Sequence, residues 1–277
     1  MSEISNDTVK ATIYAYLKGK IPVVIGLSLW DSKNNALGEP VNLGGHAVTV
    51  LGYSFGGVLS RSFDSIPDLA LVSSKIDKIY VHDDQIGPFA KMEFKNFELN
   101  FASPIKVIDT TYKNAKGESD KVKALPHILI LPLYHKIRIT FENILKVINQ
   151  IKDIQLLVNK APGVPPFPVL EWDIYLSDIT EFKKDILNNP LVSTGDYKET
   201  IVTGDFPKYL WRAIGMVGDE KKIEFLFDAT DIDQGEFYLN FISYDAVTLN
   251  YFKLISPMIT LSSPIDMNIK AILHSFK

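Results

Sequence analysis

The chain contains no cysteine. That absence excludes disulfides, a thiolate nucleophile, Cys-bound zinc and iron–sulfur clusters together. Long apolar runs are also lacking. The longest, such as Ile128 to Leu133, fall far short of the roughly 20 residues that a membrane-spanning helix requires. The N-terminal stretch MSEISNDTVK is polar and has no signal-peptide apolar core. No long run of one charge sign occurs and the net charge is -4, so electrostatics gives no general reason to bind nucleic acid or an acidic membrane. A Walker loop, a dinucleotide fingerprint and a zinc-ligand array are absent, so no cofactor and no metal is expected. A cysteine-free chain suits a reducing compartment, and the expected location is cytoplasmic. The oligomeric state is not legible from these features.

What is present describes an ordinary globular protein. The 277 residues suffice for one large domain or two of common size, with 46% apolar and 22% charged residues. Ser5 or Asn6 can cap a first helix in which Val9, Ile13, Tyr16 and Leu17 recur at helical spacing, and Gly19 ends it. Strands are expected over Ile21 to Leu29, Ala47 to Tyr53, Lys78 to His82 and Ala90 to Phe97. Asp31 to Gly45, polar and rich in Gly and Asn, reads as a loop. Thr111 to Lys123, charged and with little to bury, reads as a linker. Beyond it, Ile128 to Leu133 reads as strand and Ile137 to Val158 as the longest helix. The proline-rich stretch Ala161 to Pro168 reads as an extended connector. Strands near 169–176, 210–217, 223–227 and 237–242 and helices near 179–187 and 246–254 complete the reading. The mixture lacks a steady βαβ rhythm and predicts α+β, with a first region over 1–112 and a second α+β region over 124–277 that can pack as one body.

Three segments in order carry the clearest motif: IPVVIGLSLWD, then GGHAVTVLGY, then IDKIYVHDDQIGPF. Together, over about residues 8–95, they resemble the second half of a papain-like cysteine peptidase, closest to the branch that processes bacteriocin leader peptides. The resemblance implies a β-rich lobe with an antiparallel or mixed sheet. It implies that His46 is the catalytic histidine and that Asp83, with Asp84 as neighbouring candidate, orients the imidazole. Gly45, Asp84 and Gln85 would then line a binding face. Chemistry agrees, because a histidine beside two glycines is accessible and its second ring nitrogen needs a carboxylate or amide to fix the tautomer. The bland alternative is a His46 that satisfies backbone groups in a half-buried sheet, and a His82 that is merely a strand-end residue.

The departure from the family is its nucleophile. The family places Cys on a helix well upstream of the His, with an oxyanion-hole Gln, and no Cys stands before His46. Without a thiolate, His46 has nothing to activate within this chain. Two readings follow: a non-catalytic remnant that binds a peptide or protein partner, or one subunit of a split cysteine hydrolase with the Cys on another chain. For this chain alone the expectation leans away from enzyme.

Gly52-Tyr53-Ser54-Phe55-Gly56 matches the G-x-S-x-G nucleophile elbow of α/β-hydrolases and makes Ser54 an alternative nucleophile, with Asp228 and His274 as unmarked partners. Against it, too few strands precede the motif, Pro67 would break the following helix early, and no oxyanion segment comes before it. Asp228 to Gly235 is acidic, but its Gly falls at the wrong position for a calcium loop, and a hairpin turn is expected. Pro207, Tyr209 and Trp211 read as core aromatics before they read as a ligand platform.

Overall fold

The computed structural model describes residues 4–34, 40–57, 62–63, 66–99, 105–113, 117, 119–163, 165–192, 196–232, 235–259 and 266–276. The fold is α+β, with antiparallel and mixed sheets. It divides into two compact units: Met1–Asp64 with Ser73–Pro132, and Ser65–Val72 with Leu133–Lys277.

The first unit opens with α1 (Asn6–Lys18), whose start is set by Ser5 accepting a hydrogen bond from the Thr8 amide. Such a cap stabilises a helix by about 1 kcal/mol. Val9, Ile13 and Tyr16 fall on one face and are almost wholly buried, each worth roughly 1.5–3 kcal/mol of burial. The helix packs against strands β1 (Val23–Asn34), β2 (Pro40–Phe55) and β8 (Ser119–Ile130). With β5 (Ile76–Asp83), β6 (Gly87–Leu99) and β7 (Ile105–Lys113) these strands close a barrel in the order β1-β2-β5-β6-β7-β8, antiparallel throughout. Two short strands, β3 (Ser62–Phe63) and β4 (Ile66–Leu71), lie between β2 and β5 in the chain.

Three readings of this region need correction. The expected linker Thr111 to Lys123 is the β7–β8 hairpin, although residues 114–116 and 118 lie outside those described. Its charges are no obstacle to strand pairing: Lys123 faces Asp109 in register, where the two side chains are hydrogen-bonded, and Lys121, Asp120 and Lys113 face Thr111, Tyr112 and Ser119. Since β8 also pairs with β1, the first unit runs on to Pro132 and does not end near residue 112. The expected loop from Asp31 to Gly45 is largely strand as well, with β1 reaching Asn34 and β2 beginning at Pro40; residues 35–39 lie outside those described.

The second unit is built on a sheet with the order β12-β11-β10-β9-β4. Its strands are β9 (Glu171–Asp178), β10 (Tyr209–Val217), β11 (Glu220–Asp228) and β12 (Tyr238–Ser243), with β4 parallel to β9. Alternation along β10 assigns the two faces. Leu210 packs with Phe182 and Ile186 of α3 (Ile179–Asn188) and with Ile201 of α4 (Asp196–Thr203). Trp211 points the other way, against Phe141 at the start of α2 (Phe141–Val158), and its indole donates to the Ile139 carbonyl. Helices α5 (Ala246–Ile259) and α6 (Met267–His274) contact β12, and Phe225 of β11 meets Phe252 of α5 edge to face. Trp211 is therefore core. The Asp228 segment is the turn between antiparallel β11 and β12, with the Asp228 carboxylate taken up by the Thr230 amide and hydroxyl.

Candidate functional site

The site lies where two inward columns of the barrel end. On β2, alternate residues Val50, Val48 and His46 point inward; on β5 the corresponding column is Ile79, Val81 and Asp83. The strands are antiparallel and register Val50 with Val81 and Thr49 with His82, so both columns run to the same end. The last residue of each column is polar. His46 Nε2 lies 3.1 Å from Asp83 Oδ2, with the imidazole 11% and the carboxylate 2% exposed.

A carboxylate this deep must find donors, or its desolvation would not be offset. Asp83 finds three. Its Oδ1 accepts from the backbone amides of Gln85 and Ile86, at 2.8 and 3.0 Å, and its Oδ2 accepts from His46. The two amides come from the β5–β6 turn, which Gly87 closes at φ +114°, a value that a residue without Cβ adopts freely. The turn therefore holds the carboxylate, and the carboxylate holds the imidazole. Because a carboxylate only accepts, Nε2 donates in this bond, and in the neutral tautomer Nδ1 is then the unprotonated nitrogen. Among the described residues, Nδ1 has no partner.

The other site residues from the sequence take distinct places. Asp84 is 83% exposed and its carboxylate lies 3.9 Å from His46 Nε2, beyond a hydrogen bond. Gln85 contributes through its backbone amide. Gly45 is exposed on β2 opposite Ser28, where a Cβ would meet only the Leu27 carbonyl at ordinary distance. His82 faces outward, away from the column. Ligand atoms of His46, Asp83 and Asp84 lie within 4.8 Å of one another, a spacing that one cation could bridge. A metal there would displace the hydrogen bond that already joins His46 to Asp83.

Ser54 does not stand on an elbow. It lies inside β2, registered against Lys78, and its hydroxyl donates to Asp77 Oδ1 at 3.0 Å. Ser62–Phe63 beyond it is strand rather than helix, and residues 58–61 lie outside those described. Burial pushes the Asp77 pKa up, but hydrogen bonds from Lys78 and Ser54 and the Lys78 charge outweigh it and hold the pKa below the ordinary value. An acid so stabilised as its anion is a poor general base.

Sequence reasoning missed one further feature of this unit. A cavity of about 700 Å³ is lined by Lys91, Lys95, Lys121 and Lys123 and by Asp31, Glu93, Asp109 and Asp120. Neither His46 nor Asp83 lines it. Its charges pair with one another, as Lys91 and Lys95 do with Glu93 and Lys123 does with Asp109. The cavity is lined by charges that pair with one another, whereas His46 is an imidazole oriented by a buried carboxylate, and its chemistry makes His46 and Asp83 the candidate site. The charged residues of the β7–β8 hairpin, Asp120, Lys121 and Lys123 among them, are its signal in the sequence.

No family model, no characterised protein and no solved structure matches the chain. Among the described residues no helix is long and apolar enough to cross a membrane.

Proposed function

We propose that the chain binds a peptide or protein partner through the face formed by His46, Asp83 and Asp84, as the non-catalytic counterpart of a papain-like His/Asp lobe, and that it does so in the cytoplasm. The observation that carries this reading is the oriented imidazole: Nε2 is committed to the buried Asp83, while Nδ1 has no partner among the described residues. A histidine that served only to satisfy backbone groups would spend its nitrogens on them. The reading also draws on the direct pairing of the two strands that carry these residues, β2 with His46 and β5 with Asp83. With no Cys in the chain and Ser54 tied to Asp77, the imidazole has no nucleophile of its own to deprotonate.

The free Nδ1 also favours a second reading, in which a partner chain supplies a Cys thiol and completes a split hydrolase. One experiment separates the two. The purified chain is incubated with peptide libraries, and binding and turnover are both followed, before and after addition of a Cys-bearing protein encoded beside it. Binding lost in His46→Ala, without turnover, supports the first reading. Turnover that needs both chains and His46 supports the second. Turnover by the chain alone that depends on His46 overturns both.

A further inference from the structure

His46, Asp83 and Asp84 bring three donor atoms of metal-ligating type within 4.8 Å of one another. His46 Nε2 stands 3.1 Å from Asp83 Oδ2 and 3.9 Å from Asp84 Oδ1. Two ligand atoms of one zinc ion, each about 2.0–2.2 Å from it, stand roughly 3–4 Å apart. Both separations fall in that range. The two carboxylates are within 4.8 Å of each other, and the exposed Asp84 side chain can close the remainder.

The hydrogen bond between His46 and Asp83 does not oppose a cation, because it joins two atoms that the cation would take. Asp83 Oδ1 keeps the Gln85 and Ile86 amides in either state, and those bonds fix the carboxylate as outer-shell donors fix metal ligands. Among the described residues, Oδ2 accepts from His46 alone. A metal that replaces the shared proton therefore leaves no third group without its partner. The proton balance closes from either form of the ring. A neutral imidazole carries its proton on Nδ1 once Nε2 is a ligand, and an imidazolium releases one proton to solvent. Asp83 is 2% exposed, whereas Asp84 is 83% exposed. The ligands thus grade from a fixed interior carboxylate to one at the surface, which supplies the entry path that a metal site requires.

We propose that His46 Nε2, Asp83 Oδ2 and the Asp84 carboxylate bind one divalent transition-metal ion of the zinc type. An imidazole in the set suits Zn²⁺ over Mg²⁺ and Ca²⁺, which take oxygen ligands. Three protein ligands leave a coordination position open to water or to a donor atom of a partner. Nδ1 has no partner among the described residues to hold the ring from behind, so the affinity is expected in the micromolar range. The inference does not depend on the peptide-binding reading, since the metal is measured without peptide.

The test uses the full chain without an affinity tag, stripped with EDTA, dialysed, and titrated calorimetrically with Zn²⁺, Mn²⁺, Mg²⁺ and Ca²⁺. One equivalent of Zn²⁺ is expected to bind, with Mn²⁺ weaker and Mg²⁺ and Ca²⁺ weakest. His46→Ala and Asp84→Asn should each lose at least about tenfold in Zn²⁺ affinity, the effect of removing even an outer-shell partner. Asp84→Asn changes an exposed side chain, so its metal-free melting temperature should match wild type. Asp84→Glu keeps a carboxylate and should restore most of the affinity. In nitrogen NMR, Zn²⁺ should leave the His46 proton on Nδ1. A Zn²⁺ affinity unchanged in either His46→Ala or Asp84→Asn overturns the assignment, as does the absence of saturable Zn²⁺ binding. Peptide binding through His46, measured in EDTA, stands or falls separately.

Discussion

His46 and Asp83 sit on adjacent antiparallel strands with Nε2 and Oδ2 3.1 Å apart, and it is the carboxylate, not the imidazole, that is the more deeply buried. The order of burial makes Asp83 the fixed member. Replacing it with Ala should leave the Gln85 and Ile86 amides without their acceptor and cost about 2–4 kcal/mol in urea denaturation, since each buried orphan group costs roughly 1–3 kcal/mol. Asp83→Asn keeps an oxygen for the amides and should cost less. In nitrogen NMR of the neutral imidazole, wild type should show the proton on Nε2, and Asp83→Ala should lose that preference. An unchanged tautomer would mean that Asp83 does not orient His46.

Ser54 gives its proton to an acid that is held as its anion, so it should not be acylated by a fluorophosphonate probe. Ser54→Ala should cost only about 0.5–1.5 kcal/mol, the worth of one hydrogen bond. Stoichiometric labelling detected by intact-mass analysis would restore the serine-hydrolase reading.

The motif strands were legible because their information is local. Alternation in GGHAVTVLGY fixes which residues point inward, and the inward column places His46 at its end. Asp83 could be chosen over Asp84 by the same alternation from Val81. The closed barrel was not legible, because closure depends on β8 pairing with β1 across most of the unit, and sequence periodicity carries no register between distant strands. The β7–β8 hairpin was lost for a related reason. The pairing of Lys123 with Asp109 across the ladder is visible only in the register.

Closure itself can be tested at Gly26. It pairs with Ile128 on β8, and a Cβ at this position would run into Ile128 Cγ2 and the His127 ring. Gly26→Ala should destabilise by about 1–3 kcal/mol, as overpacking commonly does. Ile128→Ala should relieve part of that loss when combined with it, giving a non-additive pair in a double-mutant cycle. Additive effects would argue against contact between β1 and β8 at this point.

The charged cavity should impose an acid limit. Hydrogen bonds from Lys91 and Lys95 lower the Glu93 pKa from 4.5 to about 2, against the upward push of burial, with the charges of the two lysines adding to the lowering. A folded-state pKa below the unfolded value contributes stability that is present above pH 4.5 and is lost as the pH falls towards 2. Glu93→Gln should flatten the stability profile in that window, measured by urea denaturation at stepped pH. The side chain is partly exposed, so salt should shrink the difference. Equal acid slopes in mutant and wild type would remove Glu93 from the account.

In the second unit, the guanidinium of Arg212 is buried with the Glu224 carboxylate, and the pair is hydrogen-bonded at 2.5 and 3.2 Å. The arginine also reaches Asp185 on α3, lies against the rings of Tyr175 and Phe182, and the Tyr244 hydroxyl donates to Glu224. This network joins α3 to the sheet through a buried Arg212–Glu224 pair and the more exposed Asp185. Glu224→Leu should leave the buried guanidinium with Asp185 as its remaining acid partner and cost up to about 3–5 kcal/mol. Arg212→Met alone should be as harmful, because it strands the carboxylate. Combining the two replaces ions by apolar groups of similar volume and should recover much of the loss, apart from the Tyr244 hydroxyl, which would still lack its acceptor. Adding Tyr244→Phe should recover that remainder. Single substitutions of less than 1 kcal/mol would show that water reaches the pair in solution, and that the α3 face of the sheet opens far more readily than its packing implies.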